Sequence, residues 1–201
     1  MTPKSNRFNN QACKVEGCEG HLRWLVETLS PVIFGQKPAE IISYPKYDCL
    51  RCEKLDQMEH HLENSMHLSY RKIIQDNDQI KVLFYHEEAL KEVLLDPRVR
   101  RFLATMGYPM EETMEAWLDR LCGQIAVGKC PDEIGVFLGY PLKDVLGFMG
   151  HPSLPLTKVQ YWRVYGDSRE SDKKFQAIME SRSVMQCILS EDGLDCILQA
   201  I

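Results

Sequence analysis

Apolar residues recur at helical spacing over much of this chain, and short alternating runs interrupt them. Leu22 to Leu29 predicts a short amphipathic helix ended by Ser30-Pro31. Glu53 to Met66 predicts a second, with Leu55, Met58, Leu62 and Met66 on one face. His86-Glu87-Glu88 opens a helix carrying Leu90, Val93 and Leu94, and Asp96-Pro97 caps the next, which carries Val99, Phe102, Leu103 and Met106. Met110 to Val127 is strongly periodic, with Met114, Trp117, Leu118, Leu121 and Ile125 as its core face. Glu170 to Leu189 predicts a long last helix burying Phe175, Ile178, Met179, Met185 and Leu189, broken at Gly193. Strands are expected at 39–44, 68–74, 80–85 and 161–165, the second and third joined by a polar turn as a hairpin.

These elements imply an α+β fold. One small, mainly antiparallel sheet of about four strands packs against helices. Residues 1–20 form a polar N-terminal arm, and 21–201 form a single domain ending in the long helix.

The least generic stretch is PDEIGVFLGYPLKDVLGFMGH (131–151), followed by YWRVYGD (161–167). Pro131 suits a first helical position, and Asp132 and Glu133 favour the positive end of a helix. Ile134, Phe137 and Leu138 make one apolar face. Gly139-Tyr140-Pro141 stops that helix, and a second, burying Leu142, Val145, Leu146 and Met149, ends at Gly150-His151-Pro152. The two make a tight corner. The pattern resembles a bacterial family, domain of unknown function 3793, through Glu133 to Pro141, Asp144 to Phe148 and Tyr161 to Asp167. The resemblance extends over roughly Leu22 to Ile188. Asp132 stands where that family often has His, Arg163 where it often has Lys, and Leu29-Ser30-Pro31 where it often has Cys beside Pro. The family has no assigned activity, so the resemblance implies fold and boundaries more than function. It also implies a Gly-x-Lys at Gly35 to Lys37.

Composition narrows the function classes. Hydrophobic residues at 44% and charged residues at 26% are ordinary globular values. A net charge of −5 argues against a nucleic-acid binder, which would show a basic surface. The chain has no apolar run long enough to cross a membrane and no apolar leader segment at its N-terminus, so a cytoplasmic protein is expected. Its eight cysteines are then expected as thiols or metal ligands rather than a disulfide framework.

Candidate chemistry lies in three places. Tyr140, His151, Tyr161, Trp162, Tyr165 and Asp167, with Arg163 among them, bring aromatic faces and polar tips into a short span. Strand alternation puts Tyr161, Arg163 and Tyr165 on one face, suited to an anionic or planar ligand. Lys37, after a flexible glycine, can reach a phosphate or carboxylate. The preferred reading is a non-catalytic domain that binds a small molecule or a protein at the surface around the EIGVFLGYP corner and the YWRVYGD strand. The rival reading is a metal-binding (zinc or iron–sulfur) or thiol-redox protein. It rests on the C-x2-C of Cys49 and Cys52, with Cys13 and Cys18 completing four ligands and His21, His60, His61 and His67 as alternates. Cys122 and Cys187 are expected to pack in the core. No pattern of a catalytic triad, P-loop or H-E-x-x-H motif is present.

Overall fold

The computed structural model describes residues 18–46, 50–62, 65, 68–77, 79–109 and 113–200. In chain order the elements are α1 (Cys18–Ile33), β1 (Ala39–Tyr44), α2 (Arg51–Leu62), β2 (Leu68–Ile74) and β3 (Ile80–His86). There follow α3 (Glu87–Leu95), α4 (Pro97–Thr105), α5 (Met114–Ala126), α6 (Ile134–Phe137) and α7 (Leu142–Phe148). The chain ends with β4 (Leu156–Val159), β5 (Arg163–Tyr165), α8 (Arg169–Glu191) and α9 (Gly193–Ala200). The fold is α+β, with antiparallel sheets and a long helix, α8, near the C-terminus.

The first sheet has the order β1-β3-β2, with both pairings antiparallel. Its central strand reads IKVLFYH, almost continuously apolar, because both of its faces are covered. Val82 and Phe84 point to a core shared with α1 and α2, through Leu25, Leu29, Leu55 and Met58. Leu83 and Tyr85 point to the opposite core, built by α3 to α7. The period-2 alternation of a strand therefore serves two helical layers.

The tract expected as a fourth strand of that sheet behaves differently. Only Arg163–Tyr165 is extended, and it pairs antiparallel with Leu156–Val159 in a separate two-stranded sheet. The Gln160 N–H donates to the Trp162 carbonyl at 2.9 Å, so Tyr161 and Trp162 belong to the hairpin turn. β4 is too exposed to announce itself through apolar alternation.

Other boundaries moved for identifiable reasons. α1 runs through Pro31 instead of ending before it. Proline cannot bond the carbonyl one turn back. Here the Ser30 hydroxyl donates to that carbonyl, of Glu27, at 2.8 Å. The first turn of α1 takes in the last residues assigned to the polar arm, whose other residues lie outside those described. The tail after Gly193 is helical and packs Ile197 against Val26, Met185 and Leu189. Met179 and Met149, expected inside, are exposed. Cys187 is exposed as well, while Cys122 is half-buried.

Two chain segments touch at Gly139. It has φ +79, and a Cβ there would overlap the ring of Pro38. The loop before β1 thus packs directly on the α6–α7 corner, and only glycine lets the backbones come so close. Gly139→Ala is expected to cost about 2–5 kcal/mol, adding overpacking to backbone strain. Gly128→Ala, at φ +76 with open space around it, should cost only about 1 kcal/mol. Urea unfolding of the two variants measures the difference, and equal costs would show that the Pro38 contact contributes nothing.

Candidate ligand cleft

The loop that leaves α1 is tightly wound. The N–H groups of Phe34, Gly35 and Lys37 donate to the carbonyls of Ser30, Val32 and Pro31 at 3.0, 2.9 and 2.8 Å. Its exit is tied to the sheet, where the His86 N–H donates to the Pro38 carbonyl at 2.9 Å. This winding turns the Lys37 side chain inward, to 1% exposure. Its ammonium Nζ lies 2.6 Å from Glu40 Oε2. It also sits 5.5 Å and 5.6 Å from the ring centres of Tyr140 and Tyr161. A buried ammonium needs such partners, one carboxylate and two π faces.

The two rings are themselves held. Tyr140 stacks on Trp162 with centroids 5.0 Å apart. The Tyr161 hydroxyl accepts from Arg182 Nη2 of α8 at 2.9 Å, and that guanidinium lies 5.0 Å from the Tyr161 ring centre. Burial, reinforced by the Glu40 carboxylate, pushes both phenols above their ordinary pKa.

A second polar node lies on α7. Asp144, 2% exposed, accepts from Trp162 Nε1 (2.8 Å), the Tyr165 N–H (2.8 Å) and the Ser171 hydroxyl (2.6 Å). Lys143 Nζ reaches the same carboxylate at 2.6 Å and also donates to the Tyr165 carbonyl at 3.0 Å. One buried carboxylate thereby joins α7, the β4–β5 hairpin and the start of α8. Gly147 is its steric complement, since a Cβ there would run into the Tyr165 ring.

Between these nodes and the α3–α4 junction opens a cleft of about 480 Å³, within the usual range for small-molecule sites. Gly139, Tyr140 and Pro141 of the corner form part of its wall. Val93, Val99, Leu142 and Leu146 supply apolar surface. One stripe of α3, Ala89, Glu92 and Val93, continued by Asp96 just past its end, faces it at helical spacing, while Leu90 and Leu94 on the same helix enter the core. On the far side stand Glu170 and Lys174, one turn apart on α8.

The charges differ in their commitments. Asp96 caps α4 and pairs with Arg98, whose bonds hold its pKa down at about 2. Lys143 is engaged by Asp144. Lys174, Glu92 and Glu170 make no hydrogen bond or ion pair with the described residues. Burial lowers the Lys174 pKa, although the nearby carboxylates of Glu92 and Glu170 oppose the shift.

The residues singled out in the sequence are thus dispersed. Tyr140 lines the cleft. Lys37 and Tyr161 stand together behind it, around the Glu40 carboxylate. Tyr165 is buried against Gly147. Arg163 is exposed over the Phe148 ring, at 5.8 Å from its centre, so the shared Tyr161–Arg163–Tyr165 face does not form. His151 is exposed, its Nδ1 accepting from the Ser153 N–H at 3.3 Å. Cys13, Cys49 and His67 lie outside the described residues, as does the side chain of Cys18. Cys52 is exposed on α2, which also carries His60 and His61. His21 is buried against Tyr44, with Nε2 3.1 Å from the hydroxyl. Glu92, Glu170 and Lys174 were missed, because charged residues on helices read as ordinary solvated positions.

A family model described as a protein of unknown function (DUF3793) matches residues 25–197. No curated protein and no solved structure matches the chain.

Glu40→Gln leaves the Lys37 charge enclosed without its carboxylate, and should cost about 3–5 kcal/mol. Adding Lys37→Met removes the orphaned charge and should recover a substantial part of that loss, as a double-mutant cycle in urea would report. For Lys174 the folded pKa lies below the ordinary 10.5. Between the two values the folded chain binds fewer protons than the unfolded one, so this lysine's contribution to stability rises with pH. Acetylation rates followed against pH should give Lys174 a midpoint below 10.5; a midpoint at or above that value would contradict the buried environment.

Proposed function

The chain belongs to the DUF3793 family, and from that premise we propose that it is a non-catalytic small-molecule-binding domain with its site in the cleft beside the α6–α7 corner. The observation that carries this reading is the coincidence of three features in one concavity. The cleft is of ligand size, it has apolar walls, and it presents charged groups, Lys174, Glu92 and Glu170, that make no hydrogen bond or ion pair among the described residues. Charged side chains left unpaired around apolar surface suit a ligand that brings its own polar groups.

The candidate residues acquire distinct roles. Tyr140 contacts the ligand. Lys37, Glu40 and Tyr161 hold Tyr140 from behind, and Asp144 holds α7 against the hairpin. These are positioning residues. A protein partner is the second reading, favoured by the exposed Phe148, Leu156 and Val159 in the same stretch of chain.

The test is a thermal-shift screen of a fragment library on the wild-type protein and on Leu146→Trp, whose larger side chain occupies the cleft. Val93→Phe serves as a second obstruction, and circular dichroism checks that both variants fold. Fragments that raise the wild-type Tm should lose that effect in both variants. Binding undiminished in two folded variants, or no binding by any fragment, would remove the cleft as the site.

A further inference from the structure

The uncommitted charges of the cleft carry a ligand class. This step rests on the cleft being the site. Lys174 and Glu170 stand at i and i+4 positions on α8, so their side chains start about 5–6 Å apart. They are not paired with one another, and Lys174 is half-buried while Glu170 and Glu92 are exposed at the margin. Lys174 feels the Glu92 and Glu170 carboxylates without a hydrogen bond or ion pair to either, which leaves its half-buried ammonium able to take an anion within the cleft. The two exposed carboxylates beside it favour a cation next to that anion. A single ligand meets both demands if its positive and negative groups are only a few bonds apart. Val93, Val99, Leu142 and Leu146 then take an apolar substituent.

We infer that the cleft binds a free α-amino acid with an apolar side chain. Its carboxylate meets Lys174, its ammonium lies between Glu170 and Glu92, and its side chain lies on the apolar wall. Of the other charges facing this site, Asp96 pairs with Arg98, whose guanidinium also acts on Glu170, and Lys143 is held by Asp144.

The test is calorimetric titration of the full chain with leucine, 3-methylbutylamine and 4-methylpentanoate, which share one apolar group and differ in charge. Leucine should bind at least about tenfold more tightly than either singly charged analogue, the scale of one charged hydrogen bond. Lys174→Met should reduce leucine to the affinity of the amine, and Glu170→Gln combined with Glu92→Gln should reduce it to that of the carboxylate. All three side chains are at least partly open to solvent, so these variants should fold. Equal binding of the amine or of the carboxylate overturns the inference. So does leucine binding that survives in both variants. If leucine does not bind while fragments still bind in a manner abolished by Leu146→Trp, the ligand class is wrong and the cleft reading stands. If neither leucine nor any fragment binds, both fall.

Discussion

The ammonium of Lys37 sits where water scarcely reaches it, and much of the surrounding structure answers that constraint. A charge so placed must be met by an opposite charge and by polarisable surface. Glu40 supplies the first, from the strand that begins two residues after the lysine. Tyr140 and Tyr161 supply the second, from the α6–α7 corner and the hairpin turn. Arg182 of α8 then holds Tyr161. One side chain from the first third of the chain therefore ties together parts separated by more than a hundred residues.

The second node follows the same logic with the sign reversed. Asp144 is a carboxylate taken out of solvent, and four donors gather around it. Glycines stand where these two nodes draw backbone and rings close, Gly139 against Pro38 and Gly147 against Tyr165. The residues that make the sequence stretch distinctive are therefore mostly construction. They hold a rigid corner against α8 and the hairpin. The cleft lies beside that corner, and Glu92, Glu170 and Lys174 at its edge come from α3 and α8, which carry no distinctive motif.

Much of the fold was legible because core packing writes periodicity into sequence. The helices around Leu90, Phe102 and Trp117, the hairpin of β2 and β3, and the α6–α7 corner all fall where apolar spacing and turn residues put them. What escaped was local and polar. A single hydroxyl bond lets α1 continue through Pro31. A short exposed strand, β4, draws β5 into its own sheet. Lys37 was legible only as a reachable cation after a glycine, and the structure turns it inward.

The sequence by itself determined the α+β class, the antiparallel pairing of β2 with β3, and the glycine-punctuated corner. Each of these depends on residues near one another along the chain. Only the tertiary structure decided that Lys37 meets Tyr140 and Tyr161, that Asp144 meets Trp162 and Ser171, and that Glu92 faces a cleft shared with Lys174. The reason is that hydrophobic periodicity records whether a side chain is buried. It does not record which distant side chain shares that burial, and the pairing of charges depends on that choice.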